Sequence, residues 1–170
     1  MHNRESPHID VDTPDGQGEH EQWLIQTAQI ASRSLCLKSK CGALIVKNNR
    51  IIGRGYNTPP RDNVDHRMCG QTVPSKGKPK SDRTCCVHAE QRAILDAVRT
   101  WPYDVAKTIL YFVRVDDAGE IKRSGKPYCT MCSKMALDIG IQSWVLWHVD
   151  GIREYDAVEY NRLSHLYDVR

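Results

Sequence analysis

Long apolar segments are absent from this 170-residue sequence. No apolar run approaches the roughly 18 to 20 residues that cross a bilayer as a helix, so we do not expect a membrane protein. Residues 1–19 are polar and contain no apolar stretch of the signal-peptide type, so we do not expect secretion. We therefore expect a disordered polar tail over residues 1–19 and a cytoplasmic domain over residues 20–170.

A strong excess of charge of one sign is also lacking. The net charge is only +3, and the single concentrated basic run, Lys76 to Arg83, is short. Proteins dedicated to nucleic-acid binding usually carry a larger basic patch. The composition therefore favours a small-molecule substrate over a nucleic-acid partner. Internal repeats are absent as well, which favours one ordinary globular domain.

Cysteines, in contrast, are numerous, because the chain has seven. In a reducing cytoplasm, closely spaced cysteines indicate metal ligands before they indicate disulfides. The odd number would leave at least one thiol unpaired in any disulfide framework, which is the alternative interpretation.

The apolar pattern predicts alternating helices and strands. The predicted order is a helix over residues 21–36, a hairpin over 42–56 that turns at Asn48-Asn49, a long loop over 57–83, a helix over 88–99, a strand over 108–115 with a short return, a helix over 129–140, a strand over 143–149 and a helix over 155–167. This order predicts an α/β fold, namely a three-layer α/β/α sandwich around a mixed central sheet, antiparallel at its hairpin and parallel later. Predicted core residues are Leu44, Val46, Ile94, Trp144 and Trp147.

Two short motifs stand at predicted helix starts: His88-Ala89-Glu90 and Cys129-Thr130-Met131-Cys132. Cysteines three positions apart across the first turn of a helix can both face one ion, and a helix N-terminus favours thiolate. His88 can supply a third ligand. Three protein ligands with an open fourth position are typical of a catalytic zinc site.

Glu90 lies two residues beyond the predicted ligand His88 and need not contact the metal. Zinc lowers the pKa of water to about 7, so hydroxide becomes available at neutral pH, and a carboxylate beside it can carry the proton. The alternative is a closed structural zinc site in a non-enzymatic binding or assembly domain. Such a site needs a fourth ligand, for which Cys85 or Cys86 is the candidate.

Together these motifs resemble the His-x-Glu…Pro-Cys-x-x-Cys signature of zinc deaminases, although Tyr128 separates Pro127 from the first cysteine. The segments Gly42-Ala-Leu-Ile-Val46 and Gly55-Tyr-Asn-Thr-Pro-Pro-Arg61 are similar to those of the cytidine deaminase superfamily, and within it to the deoxycytidylate (dCMP) deaminase group. The resemblance covers about residues 23–149.

The resemblance implies that His88, Cys129 and Cys132 bind zinc, that Glu90 carries protons, and that Asn57 and Ala89 contact the substrate. The implied reaction is hydrolytic deamination of a cytosine nucleotide or nucleoside to its uracil form. A nucleic-acid deaminase of the tRNA adenosine type and a purine base or nucleoside deaminase would use the same zinc motifs, so both stay open. The resemblance also implies a homo-oligomer.

Two features depart from the dCMP group. Arg92 occupies a position where asparagine is frequent, and the connection from Asp116 to Lys126 is longer. Arg92 is either a phosphate ligand or a solvated helix charge. The loop before the predicted helix over 88–99 contains cysteine and histidine, and in this it resembles some dCMP deaminases that have a second, structural zinc there. In this chain the ligands of such a zinc would be His66, Cys69, Cys85 and Cys86. Free buried thiols are the alternative.

Overall fold

A computed structural model describes residues 9–10, 14–69, 84–123 and 126–167. The basic run Lys76 to Arg83 lies outside the described residues, and so do residues 1–8 and 11–13 of the predicted tail. Among the helices of the described ranges, none is both long and apolar enough to cross a bilayer.

The described residues form seven strands and four α-helices. The strands are β1 (Ile9–Asp10), β2 (Lys40–Lys47), β3 (Arg50–Tyr56), β4 (Ile109–Val115), β5 (Ile121–Lys122), β6 (Ser143–His148) and β7 (Gly151–Asp156). The helices are α1 (Pro14–Ala31), α2 (Ala89–Thr100), α3 (Thr130–Asp138) and α4 (Ala157–His165). Two short 3-10 turns, Pro60–Asp62 and Val64–His66, follow β3.

The strands form one mixed sheet in the order β1-β7-β6-β4-β2-β3, and β5 pairs with β4. Strands β4 and β6 are parallel, because α3 connects them across one face, and the remaining pairs are antiparallel. The hairpin of β2 and β3 turns at Asn48 and Asn49, whose φ angles of 47° and 59° suit a tight hairpin turn. The predicted α/β class and mixed sheet are confirmed.

Helices cover both faces of the sheet. One core layer packs α1 against β2, β4 and β6 through residues such as Leu24, Leu44 and Val145. The other packs α2, α3 and α4 against the opposite face, with Ile94 and Trp144 among its buried residues. This division produces the predicted three-layer sandwich and brings the N-termini of α2 and α3 to the same side of the sheet.

Several predicted bounds were wrong. Helix α1 begins at Pro14 rather than Glu21, so it includes part of the predicted tail, and it ends at Ala31 rather than Cys36. Beyond Ala31 the hydroxyl of Ser34 bonds the Asn57 carbonyl at 2.6 Å, so the chain leaves the helix to meet the loop after β3. The strand β7 was missed, because its alternation is short, and α4 therefore starts at Ala157 rather than at residue 155. The strand β1 was missed as well.

The predicted core residues are buried with one exception. Leu44, Val46, Ile94 and Trp144 have at most 5% of their surface exposed. Trp147 is only half-buried. The guanidinium of Arg123 covers its ring, with the central carbon 3.6 Å from the ring centroid.

Candidate metal centre

His88 immediately precedes α2 and serves as its N-cap residue. Its backbone N–H donates to the side-chain Oε1 of Gln91 at 3.1 Å, which satisfies a backbone donor at the helix start. Gln91 was not among the predicted site residues, although a Gln three positions after an N-cap is a recognisable sequence signal. The cap fixes the backbone from which the His88 ring projects.

Cys129 has the corresponding place at the start of α3. Its sulfur accepts the backbone N–H of Cys132 at 3.4 Å, so Cys129 is the N-cap residue and Cys132 lies one turn inside. Both sulfurs therefore lie at the positive end of α3, where the helix dipole stabilises thiolate.

The side chains of His88, Cys129 and Cys132 converge. The Nδ1 atom of His88 lies 3.4 Å from Sγ of Cys129 and 3.3 Å from Sγ of Cys132, and all three atoms lie within 4.8 Å of one another. Tetrahedral zinc with ordinary Zn–S and Zn–N bonds separates such donors by about 3.6 Å. The donor set and its spacing therefore fit zinc.

Among the residues that the structure describes, no fourth protein ligand joins this group. In the described part of the chain, these three residues are the only set of three or more metal-binding side chains that lie this close together. Cys85 and Cys86, the candidates for a closed site, are not members of it. The arrangement is thus three-coordinate from the protein, which is typical of a catalytic rather than a structural zinc.

The hydrogen bonds among these three side chains shift the pKa of each of them. The hydrogen bond from Cys132, and then that from His88, lowers the pKa of the Cys129 thiol to about 4. The same bond to Cys129, together with burial, raises the pKa of Cys132. The hydrogen bond with Cys129 also raises the pKa of His88. A metal ion that binds here must therefore displace protons from Cys132 and His88.

Glu90 lies in the first turn of α2 with 6% of its surface exposed. Burial raises the pKa of its carboxyl group, and the negative charge of Cys129 adds to this effect, while His88 opposes it. The carboxyl also hydrogen-bonds the Cys132 side chain. The structure thus places a carboxyl group that readily holds a proton directly beside the metal-binding cluster.

The loop after β3 is tied to the segment that leads into α2. Val87 N–H donates to the Thr58 carbonyl at 2.9 Å, and Thr58 N–H donates to the Val87 carbonyl at 3.3 Å. Since Val87 precedes His88, this bridge places the loop that begins at Asn57 alongside the metal-binding cluster.

Asn57 is buried and largely satisfied by the protein. Its Oδ1 accepts the Cys41 N–H at 2.7 Å and lies 2.7 Å from the Ser34 hydroxyl, while Nδ2 donates to the Ser39 carbonyl at 2.7 Å. One Nδ2 hydrogen is left for another acceptor. Ala89, the other predicted substrate contact, is fully buried, and its carbonyl packs against Gly55.

Four of the five remaining cysteines contact one another in a row. The Cys85 thiol is hydrogen-bonded to Cys69 and Cys86, and Cys86 is hydrogen-bonded to Cys36. His66 is directed elsewhere, because its Nδ1 lies 3.2 Å from the Pro60 carbonyl and its ring is exposed. Cys36 is thus part of this row, whereas the contacts described for His66 do not join it.

Comparison with known proteins agrees with this geometry. The family model described as the cytidine and deoxycytidylate deaminase zinc-binding region matches residues 18–148. The chain belongs to this family. Its similarity to the deoxycytidylate deaminase of Mycobacterium phage D29 is 33% identity over 128 residues, which is 72% of this chain and 88% of the phage protein.

Two further similarities differ in extent. The deoxycytidylate deaminase of Schizosaccharomyces pombe is 35% identical over 83 residues, covering 46% of this chain. The matched segment spans only 26%, about a quarter, of that yeast protein. The crystal structure of cytidine deaminase from Burkholderia pseudomallei has a TM-score of 0.52 at 18% identity, covering 82% of this chain and 94% of that one. This structural likeness establishes the fold alone.

Proposed function

We propose that this protein is a zinc-dependent hydrolytic deaminase of a cytosine nucleotide, of the dCMP type, that releases ammonia and yields the uracil product. The observation that carries the proposal is the cluster of His88, Cys129 and Cys132 with the buried carboxyl of Glu90 beside it. Membership of the deaminase family and the 33% identity to the phage deoxycytidylate deaminase support the substrate class.

In this proposal His88, Cys129 and Cys132 hold the zinc ion. When bound, zinc supplies a Lewis acid that makes hydroxide available near neutral pH. Because the described residues supply only three donors, a fourth coordination position would be left for the reacting molecule.

Glu90 moves the protons. Its carboxyl group is buried and favours the protonated form, so it can donate a proton to the ring nitrogen next to the amino-bearing carbon. The resulting carboxylate can then take a proton from the attacking water and pass it to the leaving amine. Burial of Ala89 and Glu90 excludes bulk water from this side of the site, which strengthens each electrostatic interaction. Ser34 and Cys41 donate to Oδ1 of Asn57, and Nδ2 donates to the Ser39 carbonyl, so the side-chain amide is fixed and its second Nδ2 hydrogen contacts the sugar.

The test is ammonia release from a panel of dCMP, deoxycytidine, cytidine, adenosine, guanine and a tRNA, for wild type and for Glu90→Gln. Glutamine keeps the shape of the side chain and removes its proton-carrying group. We expect the wild type to act on dCMP, and the variant to keep its zinc and lose activity by about 10²- to 10⁴-fold. A Glu90→Gln variant that is as active as wild type would contradict the mechanism, and preference for a purine or for tRNA would contradict the substrate class.

A second, structural zinc is part of the proposal. Its support is the row of pairwise thiol contacts that joins Cys69 to Cys85, Cys85 to Cys86 and Cys86 to Cys36. These thiols are not as close together as the three donors of the first site, so an ion would have to draw them together. Metal analysis of purified protein should give two zinc ions per chain, falling to one in Cys69→Ser. One zinc per chain in the wild type would show that these thiols are free.

We also propose a cytoplasmic homo-oligomer, as expected of the family. The outer face of α2 supports assembly, because Leu95 and Val98 are 52% and 40% exposed. Light scattering after gel filtration would test this, and a monomer at micromolar concentration would contradict it.

A further inference from the structure

Arg92 and Asp62 form a paired contact between α2 and the loop after β3. The guanidinium NH1 lies 3.1 Å from Oδ1 of Asp62, and NH2 donates to Oδ2 at 3.1 Å. Such a two-pronged pair fixes orientation as well as distance. Arg92 is therefore not a free helix charge, because both of its terminal nitrogens contact a carboxylate of the same chain.

Other side chains converge on the same carboxylate. Tyr56 also hydrogen-bonds Asp62, and this bond together with the Arg92 interaction lowers the pKa of Asp62 although partial burial acts in the opposite direction. The Tyr56 ring lies near two guanidinium groups, with the central carbons of Arg92 at 5.0 Å and Arg33 at 5.1 Å from its centroid. Residues from the turn after α1, from β3 and from α2 thus meet at one point of the loop.

The loop at this point has an unfavourable backbone. Arg61 and Asp62 both have positive φ angles, 60° and 57°, in the left-handed region that most residues avoid. Two consecutive non-glycine residues keep this conformation only where surrounding contacts hold them. The contacts that converge on Asp62 provide that restraint.

This loop also borders the site. It begins at Asn57 and is bridged through Thr58 to Val87, directly before His88. Fixing Asp62 at one end and Thr58 at the other leaves the intervening residues Pro59, Pro60 and Arg61 little freedom to move. A change at Asp62 is thus transmitted along a short, stiff segment to Asn57.

We propose that Arg92 is a positioning residue that, through Asp62, holds the loop 57–62 in the conformation that shapes the substrate pocket. This inference rests on the proposed deaminase function, because it assigns the loop to that site. It replaces both interpretations of Arg92 that the sequence offers. The asparagine frequent at this position in the dCMP group is too short to form the same pair, so this chain fixes its loop differently.

The test compares Arg92→Asn, Asp62→Asn and the double variant, with Arg99→Asn and Asp65→Asn as controls that remove exposed charges from the same helix and the same loop region. Deamination is measured with dCMP and with deoxycytidine, which lacks the phosphate. Hydrogen exchange of the backbone amides of residues 58–66 reports the loop directly, and zinc content reports the metal centre.

We expect each single variant to raise KM about tenfold for both substrates, with kcat, zinc content and melting temperature little changed. The double variant should be no worse than either single variant, since both remove one interaction. Exchange of amides 58–66 should be faster in all three variants and unchanged in the controls.

Other outcomes overturn the proposal. If Arg92→Asn impairs only the reaction with dCMP while Asp62→Asn is harmless, Arg92 is a phosphate ligand. If exchange in residues 58–66 matches that of wild type, the pair does not hold the loop. A wild type that deaminates neither compound contradicts the proposed function, yet the exchange measurement still decides whether Arg92 and Asp62 fix the loop.

Discussion

Gly55 lies directly against Ala89. A Cβ atom built on Gly55 would come within 2.1 Å of the Ala89 carbonyl oxygen and 2.4 Å of the Ala93 backbone nitrogen. Both contacts are with backbone atoms of α2, which cannot move out of the way as a flexible side chain can. The helix that carries His88 and Glu90 therefore packs on β3 at a distance that only glycine allows.

We expect Gly55→Ala to displace the start of α2 and to separate His88 from the two cysteines. The variant should lose most of its activity and zinc, and its free energy of unfolding should fall by about 1 to 3 kcal/mol from overpacking. Metal analysis and thermal melting measure both effects.

Gly18→Ala is the matched control. It lies in α1 with no other group within 4 Å of the new methyl group, and alanine should stabilise that helix by up to about 1 kcal/mol. If Gly55→Ala behaves as this control does, the close packing of α2 on β3 does not determine the metal centre.

Part of this arrangement could be predicted from the sequence. The apolar stripe of α2 and the spacing of Cys129 and Cys132 are local patterns, and they placed the starts of α2 and α3 to within one residue. Other contacts join residues that are distant in sequence, namely Gly55 with Ala89 and Arg92 with Asp62. No local sequence pattern indicates such contacts. The strand β7 was not predicted, because its alternation is only six residues long and includes charged side chains.

Tyr160 illustrates the same limit, since α4 showed no sign of a role in the site. Its ring stacks on Trp144 with centroids 4.0 Å apart, and its hydroxyl hydrogen-bonds the backbone of Tyr128, the residue before Cys129. Tyr160→Phe should keep the stacking and lose the hydrogen bond, with a loss of stability of about 1 kcal/mol. Because the turn before Cys129 loses a restraint, zinc should transfer faster to a chelator.

The rate of that transfer, followed with a metal-sensitive dye, measures the effect of Tyr160→Phe. Tyr103→Phe removes a hydroxyl from a ring that is 96% exposed and should leave the rate unchanged. Equal transfer rates for wild type and Tyr160→Phe would show that α4 does not restrain the ligand turn.

Metal uptake should depend on pH in a defined direction. At pH 7 the metal-free cluster has Cys129 as thiolate, whose pKa is about 4, while the raised pKa values of Cys132 and His88 favour their protonated forms. Zinc must displace those protons, so its affinity should rise with pH, by about tenfold per pH unit for each proton released. Competition with a chelator between pH 6 and 8 measures this slope. A flat profile would mean that Cys132 and His88 are already deprotonated.

Removal of one ligand should abolish the site. Cys132→Ala is expected to lower the zinc content by one ion per chain and to eliminate deamination, since two donors cannot complete the coordination. Cys41→Ala is a suitable comparison, because Cys41 is near Glu90 but is not part of the metal-binding group. If the Cys132→Ala variant retained a full equivalent of zinc at this site, another residue would have to bind the ion.

A test away from the site concerns Glu154, which joins β7 to α1 and β6. Hydrogen bonds from His20 and Ser143 lower the pKa of this carboxyl group against the opposing effect of burial. A carboxylate with a lowered pKa stabilises the fold above its unfolded-state value of about 4.3, and this contribution is lost as the pH falls through the lower folded-state value. Glu154→Gln should therefore lower the unfolding free energy at pH 7 by about 1 to 2 kcal/mol, with a smaller difference from wild type at pH 3.

Urea unfolding at both pH values measures this, and Glu120→Gln, at an exposed position, should show neither effect. A difference that is independent of pH would show that the charge of Glu154 does not stabilise the fold.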